Sequence, residues 1–258
     1  MSRSTRRTER SSSMPSPSGM WMSLRITSIR FAASSASAAC PVSTSMTSNA
    51  ARRNNRDNIL RSDEPTLATP APIFDAAIQL GRLSALGRRI RHLAGRTIAG
   101  SEIPTLFINL HPQDLLDVDL VDERSPLTQI ATRVVLEVTE RESLVTSAAL
   151  TERLERLRQL GFRLAIDDIG AGYSGLTSFT DLTPEIVKID MSLVRSIHTS
   201  RVKQRTVGAL CTLCHEIGTL VVGEGVETED EQACLIELGC DLLQGYLIAR
   251  PNRELPKV

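Results

Sequence analysis

Aromatic residues are scarce in this chain of 258, which has one Trp, two Tyr and five Phe, or 3% against 41% apolar residues in all. A core with so few rings must rest on Val, Ile, Leu and Ala, which fits a protein of mixed helix and strand. Long apolar runs are lacking too: no stretch approaches the ~18 consecutive apolar residues needed to cross a bilayer. The Ala- and Ser-rich stretch from Phe31 to Val42 is too polar and too late in the chain for a signal peptide, so a cytoplasmic protein is expected. Cysteine is sparse. Five (Cys40, Cys211, Cys214, Cys234 and Cys240) in so long a chain do not make a disulfide framework, and a reducing compartment is the expectation.

Acids are missing from one end. Residues 1–56 hold nine Arg, no Lys and a single acid, Glu9, for a net of +8, so the rest of the chain carries −8. An acidic body argues against nucleic-acid binding by the folded part and for carboxylates with a purpose. The same leader lacks any apolar period, with 15 Ser and five Thr in its first 50 positions. Such a composition cannot bury enough surface to offset chain entropy, so residues 1–55 are expected to be disordered.

From Ile73 the texture changes. Phe74, Ala77, Ile78, Leu80, Leu83, Leu86, Ile90 and Leu93 recur at helical spacing, with Asp75 near the start and Gly95 near the end, and predict one helix. Short apolar runs then alternate with helical stretches. The runs are Leu106–Asn109, Val134–Glu137, Phe162–Asp167, Ile186–Asp190, Thr219–Glu224 and Asp241–Leu247; helical patterns such as Leu144–Leu160 and Val202–Ile217 lie between them. Continuous rather than alternating hydrophobicity marks strands buried on both faces, hence a parallel sheet wrapped by helices. Six such units point to a (β/α) barrel more than to an open sheet. Within one helical pattern, Cys211-Thr-Leu-Cys214-His215 matches the spacing of c-type haem attachment. It falls on the amphipathic run of Val207, Leu210, Cys214 and Ile217, and small apolar residues on a packed face are the preferred reading.

Each candidate strand ends in a group able to bind metal or phosphate: Asn109, Glu137, Asp167 with Asp168, Lys188, Glu224 and Gln244. In a parallel barrel the C-terminal strand ends meet in one basin, where active sites lie. Four carboxylates at close quarters repel unless cations neutralise them, and oxygen-rich sites suit Mg²⁺ or Mn²⁺. Two such ions a few ångströms apart are a recurring device for attack of water on a phosphodiester. A single strand-end acid would more often be a helix cap; six positions in register favour a site.

The motifs are more specific than the spacing. Glu137-Val-Thr-Glu140, Asp167-Asp168-Ile-Gly-Ala-Gly-Tyr-Ser174, Val187-Lys188-Ile-Asp190, Glu224-Gly-Val-Glu-Thr228 and Gln244-Gly-Tyr246 with Arg250-Pro251 resemble, in order, the signatures of EAL-type cyclic-di-GMP phosphodiesterases. Phe107-Ile-Asn-Leu-His-Pro112 resembles the asparagine strand of that family, and the resemblance covers roughly residues 56–252, leaving 253–258 as a tail. It implies an α/β, TIM-like (β/α) barrel that hydrolyses cyclic-di-GMP to linear pGpG with two Mg²⁺ or Mn²⁺ ions. By position it implies Asn109, Glu137, Asp167, Asp168 and Glu224 as metal ligands and Lys188 as holder of the attacking water. Gln244 would support the far end of the site, and Thr139 and Glu140 would anchor the Gly170–Ser174 loop, expected to close over substrate. Asp190 is expected to tether its own loop. A homodimer is implied by the same resemblance.

The resemblance thins upstream. Asp57-Asn58-Ile59 stands where Glu-Ala-Leu is expected, so Asp57 keeps a carboxylate one methylene shorter, while Arg61 is retained as a bidentate donor to a substrate phosphate. The apolar strand that should precede Asp57 is replaced by Asn49-Ala-Ala-Arg-Arg-Asn-Asn55-Arg, so the first strand is expected to be missing and the frame upstream of about residue 56 to be altered. The alternative function is a catalytically inactive module that binds cyclic-di-GMP or a protein partner.

Overall fold

In the computed structural model of the chain the described residues are 29–31, 70–139, 147–170 and 175–250. Among these residues seven strands form one sheet: β1 (Ile29–Phe31), β2 (Leu106–Asn109), β3 (Val134–Thr139), β4 (Arg163–Ile169), β5 (Ile186–Ile189), β6 (Leu220–Gly223) and β7 (Leu242–Gln244). Strands β2 to β7 run parallel in sequence order, and β1 pairs antiparallel with β7. The helices are α1 (Pro70–Gln79), α2 (Leu83–Ala99), α3 (Ala148–Leu160), α4 (Gly175–Leu182), α5 (Met191–Val194), α6 (Arg201–Glu216) and α7 (Glu229–Glu237). All six predicted strands are present, within a few residues of their expected bounds.

The reason lies in burial on both faces. One residue from each parallel strand enters a single inner cluster: Phe107, Val135, Ala165, Ile186, Val222 and Leu242. Their neighbours point the other way. Leu106, Ile108, Val134, Leu136, Leu164 and Ile166 join the core under α2 and α3, while Val187, Ile189, Val221 and Leu243 join a second core with α6 and α7. A strand covered on both sides loses the alternation of a half-exposed one, and so reads as a continuous apolar run.

The sheet differs from expectation at its ends. Ile29–Phe31 was expected to lie in a structureless leader, yet it lines the edge of β7, with Ile29 opposite Gln244 and Phe31 opposite Leu242. An unpaired strand edge is a template for any short extended segment, and three residues are too few for a period to show in sequence. No described strand pairs the other edge of β2, and the segment holding Asp57 lies outside the described residues.

The predicted first helix is two. Gly81 takes φ +61, and the amides of Gly81 and Arg82 bond back to the carbonyls of Ile78 and Ala77, ending α1 before α2 begins. A left-handed residue ends a helix as glycine commonly does, and apolar spacing carries across such a break unchanged. Gly95, expected near a helix end, sits inside α2, where a Cβ would lie 2.4 Å from the Leu127 nitrogen. It lets α2 touch the chain that leads into β3.

Candidate metal and phosphodiester site

Side chains two apart on a strand share a face. Moving two residues on from each member of the inner cluster therefore stays on the concave face and climbs towards the C-terminal strand ends. From Phe107 the step reaches Asn109; from Val135, Glu137; from Ala165, Asp167; from Ile186, Lys188; from Val222, Glu224; from Leu242, Gln244. All six land on the polar residues read from the sequence. The stagger between strands then decides which ones touch. Asn109 lies level with Glu137, and Lys188 level with Val222, so the ring of polar groups is stepped rather than flat.

Lys188 sits at its centre, 0% exposed. Its Nζ lies 2.5 Å from Glu137 Oε1, 2.9 Å from Asp167 Oδ1 and 2.7 Å from Glu224 Oε1. Carboxylate oxygens of Asp167, Asp168 and Glu224 all fall within 4.8 Å of one another, in a spacing that could hold a metal ion. Among the described residues four carboxylates meet one ammonium in the basin, and buried charges persist only where they are compensated. The donor set is all oxygen, apart from the lysine, so hard divalent cations fit it. The buried Gln244 Oε1, with no hydrogen-bond partner, adds an acceptor aimed at the same face.

The chain bends to present Asp168. Pairing between β4 and β5 shifts register between Ile166 and Ile169, and Asp168 adopts φ +63 while its amide donates to Asp167 Oδ1 at 3.1 Å. A non-glycine residue in the left-handed region costs of order 1–3 kcal/mol, and such strain gathers at working sites. The bulge breaks the alternation that would turn Asp168 away from Asp167, so both acids serve one basin.

The loop after Glu224 is held by residues that the sequence reading missed. Glu231 accepts from the amides of Ser196, Glu227 and Thr228, while Thr228 accepts from the Glu231 amide in a capping box. Burial pushes the Glu231 carboxyl up, but those three amides outweigh it and hold it below the ordinary range. Arg195 pairs with Glu227 across the same loop. The Thr228-x-x-Glu231 pattern ahead of α7 carried this signal. Asp190 accepts from the Ser192 amide at 2.9 Å and caps α5, the local tether expected of it. Of the remaining expected site residues, Asp57, Arg61 and Glu140 lie outside the described residues, as do 171–174 of the loop after Asp168. The haem-like cysteines Cys211 and Cys214 are both buried against the sheet on α6, 1% exposed, as packing residues should be.

Known proteins resemble the chain in sequence and in fold. RocR of Pseudomonas aeruginosa, a cyclic di-GMP phosphodiesterase, is 36% identical over 153 residues, covering 58% of this chain and 39% of RocR. NbdA of the same organism, also a cyclic di-GMP phosphodiesterase, is 37% identical over 170 residues, 64% of this chain and 22% of NbdA. The chain thus spans well under half the length of these relatives. Among solved structures, BlrP1 of Klebsiella pneumoniae, in complex with calcium and cyclic di-GMP, superposes with a TM-score of 0.67 at 30% identity, over 92% of this chain and 56% of BlrP1. The MucR phosphodiesterase bound to cyclic di-GMP gives 0.62 at 30% identity, over 71% of this chain and 84% of the other. The family model of the EAL domain matches residues 59–251, some three quarters of the sequence, and the chain belongs to that family.

Proposed function

We propose that the chain hydrolyses one phosphodiester bond of cyclic di-GMP to give linear pGpG. The observation that carries this reading is the convergence of Glu137, Asp167, Asp168 and Glu224 around the buried Lys188 at the strand ends. Two divalent cations, Mg²⁺ or Mn²⁺, would be held by Asn109, Glu137, Asp167, Asp168 and Glu224, with Asp57 as a further ligand, and would supply Lewis-acid chemistry to the phosphodiester. Lys188 has three N–H donors and lies against three carboxylates, so it fixes their positions; a water held at Nζ takes the place of one of them. The buried strand ends exclude bulk solvent from that water. Gln244 offers its orphaned Oε1 to a donor on the substrate, and Arg61 is assigned to a substrate phosphate. Glu140 is assigned to the loop beside Asp168.

A homodimer and a cytoplasmic setting fit the same reading; no helix among the described residues is long and apolar enough to cross a membrane. One observation favours a second reading, a module that binds cyclic di-GMP without turning it over: Asp57-Asn58-Ile59 replaces Glu-Ala-Leu. Chromatographic assay of pGpG with Mn²⁺, beside calorimetric binding of cyclic di-GMP in Ca²⁺, separates the two. Product in Mn²⁺ supports the enzyme; binding without product supports the silent module; neither sinks both.

A further inference from the structure

Outside the basin, two thiols among the described residues lie within reach of each other. Cys211 projects from the buried face of α6, and Cys240 ends the turn that joins α7 to β7. Their sulfurs are 3.9 Å apart, with both residues 1–2% exposed. The turn is fixed, since the Gly239 and Cys240 amides bond to the carbonyls of Ile236 and Leu235. It also runs close to the helix: a Cβ built on Gly239 would lie 3.6 Å from the Cys211 Cβ. We propose that Cys211 and Cys240 form a reversible oxidation site, at which a peroxide joins α6 to the entrance of β7 through a disulfide.

The contact is already pre-arranged. A disulfide needs sulfurs about 2.05 Å apart, a gap that side-chain rotation can close from van der Waals contact when the backbones are adjacent. The two thiols are also unlike. The thiol–thiol contact draws the Cys211 thiol down against its burial, while the same contact and burial push Cys240 up. The proposal assigns the first attack to Cys211 and the resolving step to Cys240. In the first step the Cys211 thiolate attacks the peroxide, its S–O bond forms as the O–O bond breaks, and water leaves. In the second, the Cys240 sulfur displaces hydroxide from that sulfenic acid, the S–S bond forms, and a second water carries off the remaining proton. Two thiols and one hydrogen peroxide thus give one disulfide and two waters.

Both thiols are buried, and their chain neighbours reach the surface. Thr212, Leu213 and His215 on α6 are exposed, and Gly239 and Asp241 of the turn are half-buried. Cys214, one turn along α6, is pushed up to about 11 by burial and by the nearby Cys211 and Asp241, so it stays a thiol and serves as an internal control. In reducing surroundings a disulfide of this kind is transient, which suits a sensor better than a staple. The proposal is independent of whether the basin turns over cyclic di-GMP.

The test uses the full chain with Cys40→Ser and Cys234→Ser, which leaves three cysteines. The folded protein is exposed to hydrogen peroxide, quenched, unfolded, alkylated and mapped by mass spectrometry. The expected result is a fall from three alkylatable thiols to one, a Cys211–Cys240 cross-linked peptide, and full recovery with dithiothreitol. Adding Cys240→Ser should abolish the cross-link and leave a sulfenic acid on Cys211 that dimedone traps. Three alkylatable thiols after peroxide, a bond that joins Cys214 instead, or a Cys211–Cys240 bond that forms as readily in urea as in the folded chain would each overturn the proposal.

Discussion

Replacing Lys188 by Met is the most searching test of the basin, because it removes one charge and keeps most of the volume. In the native chain the ammonium touches Glu137, Asp167 and Glu224 at 2.5–2.9 Å with no exposure to solvent. Without it, those buried carboxylates lose the one ammonium that the described residues place among them. Removing one partner of a buried ion pair costs about 3–5 kcal/mol. For a domain of this size each kcal/mol moves the unfolding midpoint by about 2–4 °C, so the variant should melt roughly 6–20 °C lower in metal-free buffer. Divalent ions should then rescue it more than they help the native chain, since a ligand at a hundred times its Kd contributes about 2.7 kcal/mol to the state that binds it. Hydrolysis should stay down by ~10²–10⁴-fold even with Mn²⁺, because the group proposed to hold the attacking water is gone. Calorimetry with and without Mn²⁺, beside a pGpG assay, reads all three effects. A variant that melts within the ~2 °C expected of a surface change, shows the same metal response as the native chain and turns over normally would refute the charge argument.

Other perturbations probe separate parts of the argument. Asp167→Asn should abolish hydrolysis and weaken Mn²⁺ binding by calorimetry, since a neutral amide cannot balance a divalent cation; near-native turnover would remove Asp167 from the ligand set. Gly95→Ala should destabilise by about 1–3 kcal/mol in urea titration, because the new Cβ meets the Leu127 backbone at 2.4 Å. Glu231 has a carboxyl held below its ordinary 4.5, so its contribution is present above that value and lost as pH falls through the lower folded value. The native chain should therefore lose stability below pH 4.5 more steeply than Glu231→Gln, and parallel urea midpoints down to acid pH would show that the three amides do not matter.

Much of the site was legible because two periodicities coincide. The inner cluster and the polar strand ends are two residues apart on every parallel strand, so a run such as Val134 to Glu137 carries both its core residue and its candidate site residue. The terminal acid, amide or lysine was visible as the one polar group closing an apolar run. Asp168 was readable only as the second of two acids; that it shares the basin depends on a bulge and a left-handed φ, which no apolar pattern encodes. The break at Gly81 escaped for the converse reason, since helical spacing persists across it while the backbone turns.

What stayed hidden from the sequence is the set of charges that brace the strand carrying Asn109. Arg91 on α2 is fully buried and reaches Asp114 at 2.8 Å and Asp117 at 2.6 Å, with Arg88 adding 2.7 Å to Asp117. Both acids lie in the short turns just beyond β2, so the helix before Asn109 and the turns after it are bound to one another. Burial pushes the Asp117 carboxyl up, but Arg88, the Asp119 amide and Arg91 together hold it below its usual range. No local pattern in the sequence pairs these residues, because 23 to 29 positions separate the partners. Only the fold makes them neighbours. A strand with one open edge among the described residues has no second described strand to fix it, and a buried guanidinium gripping the turn beyond it supplies the rigidity that the ligand role proposed for Asn109 needs.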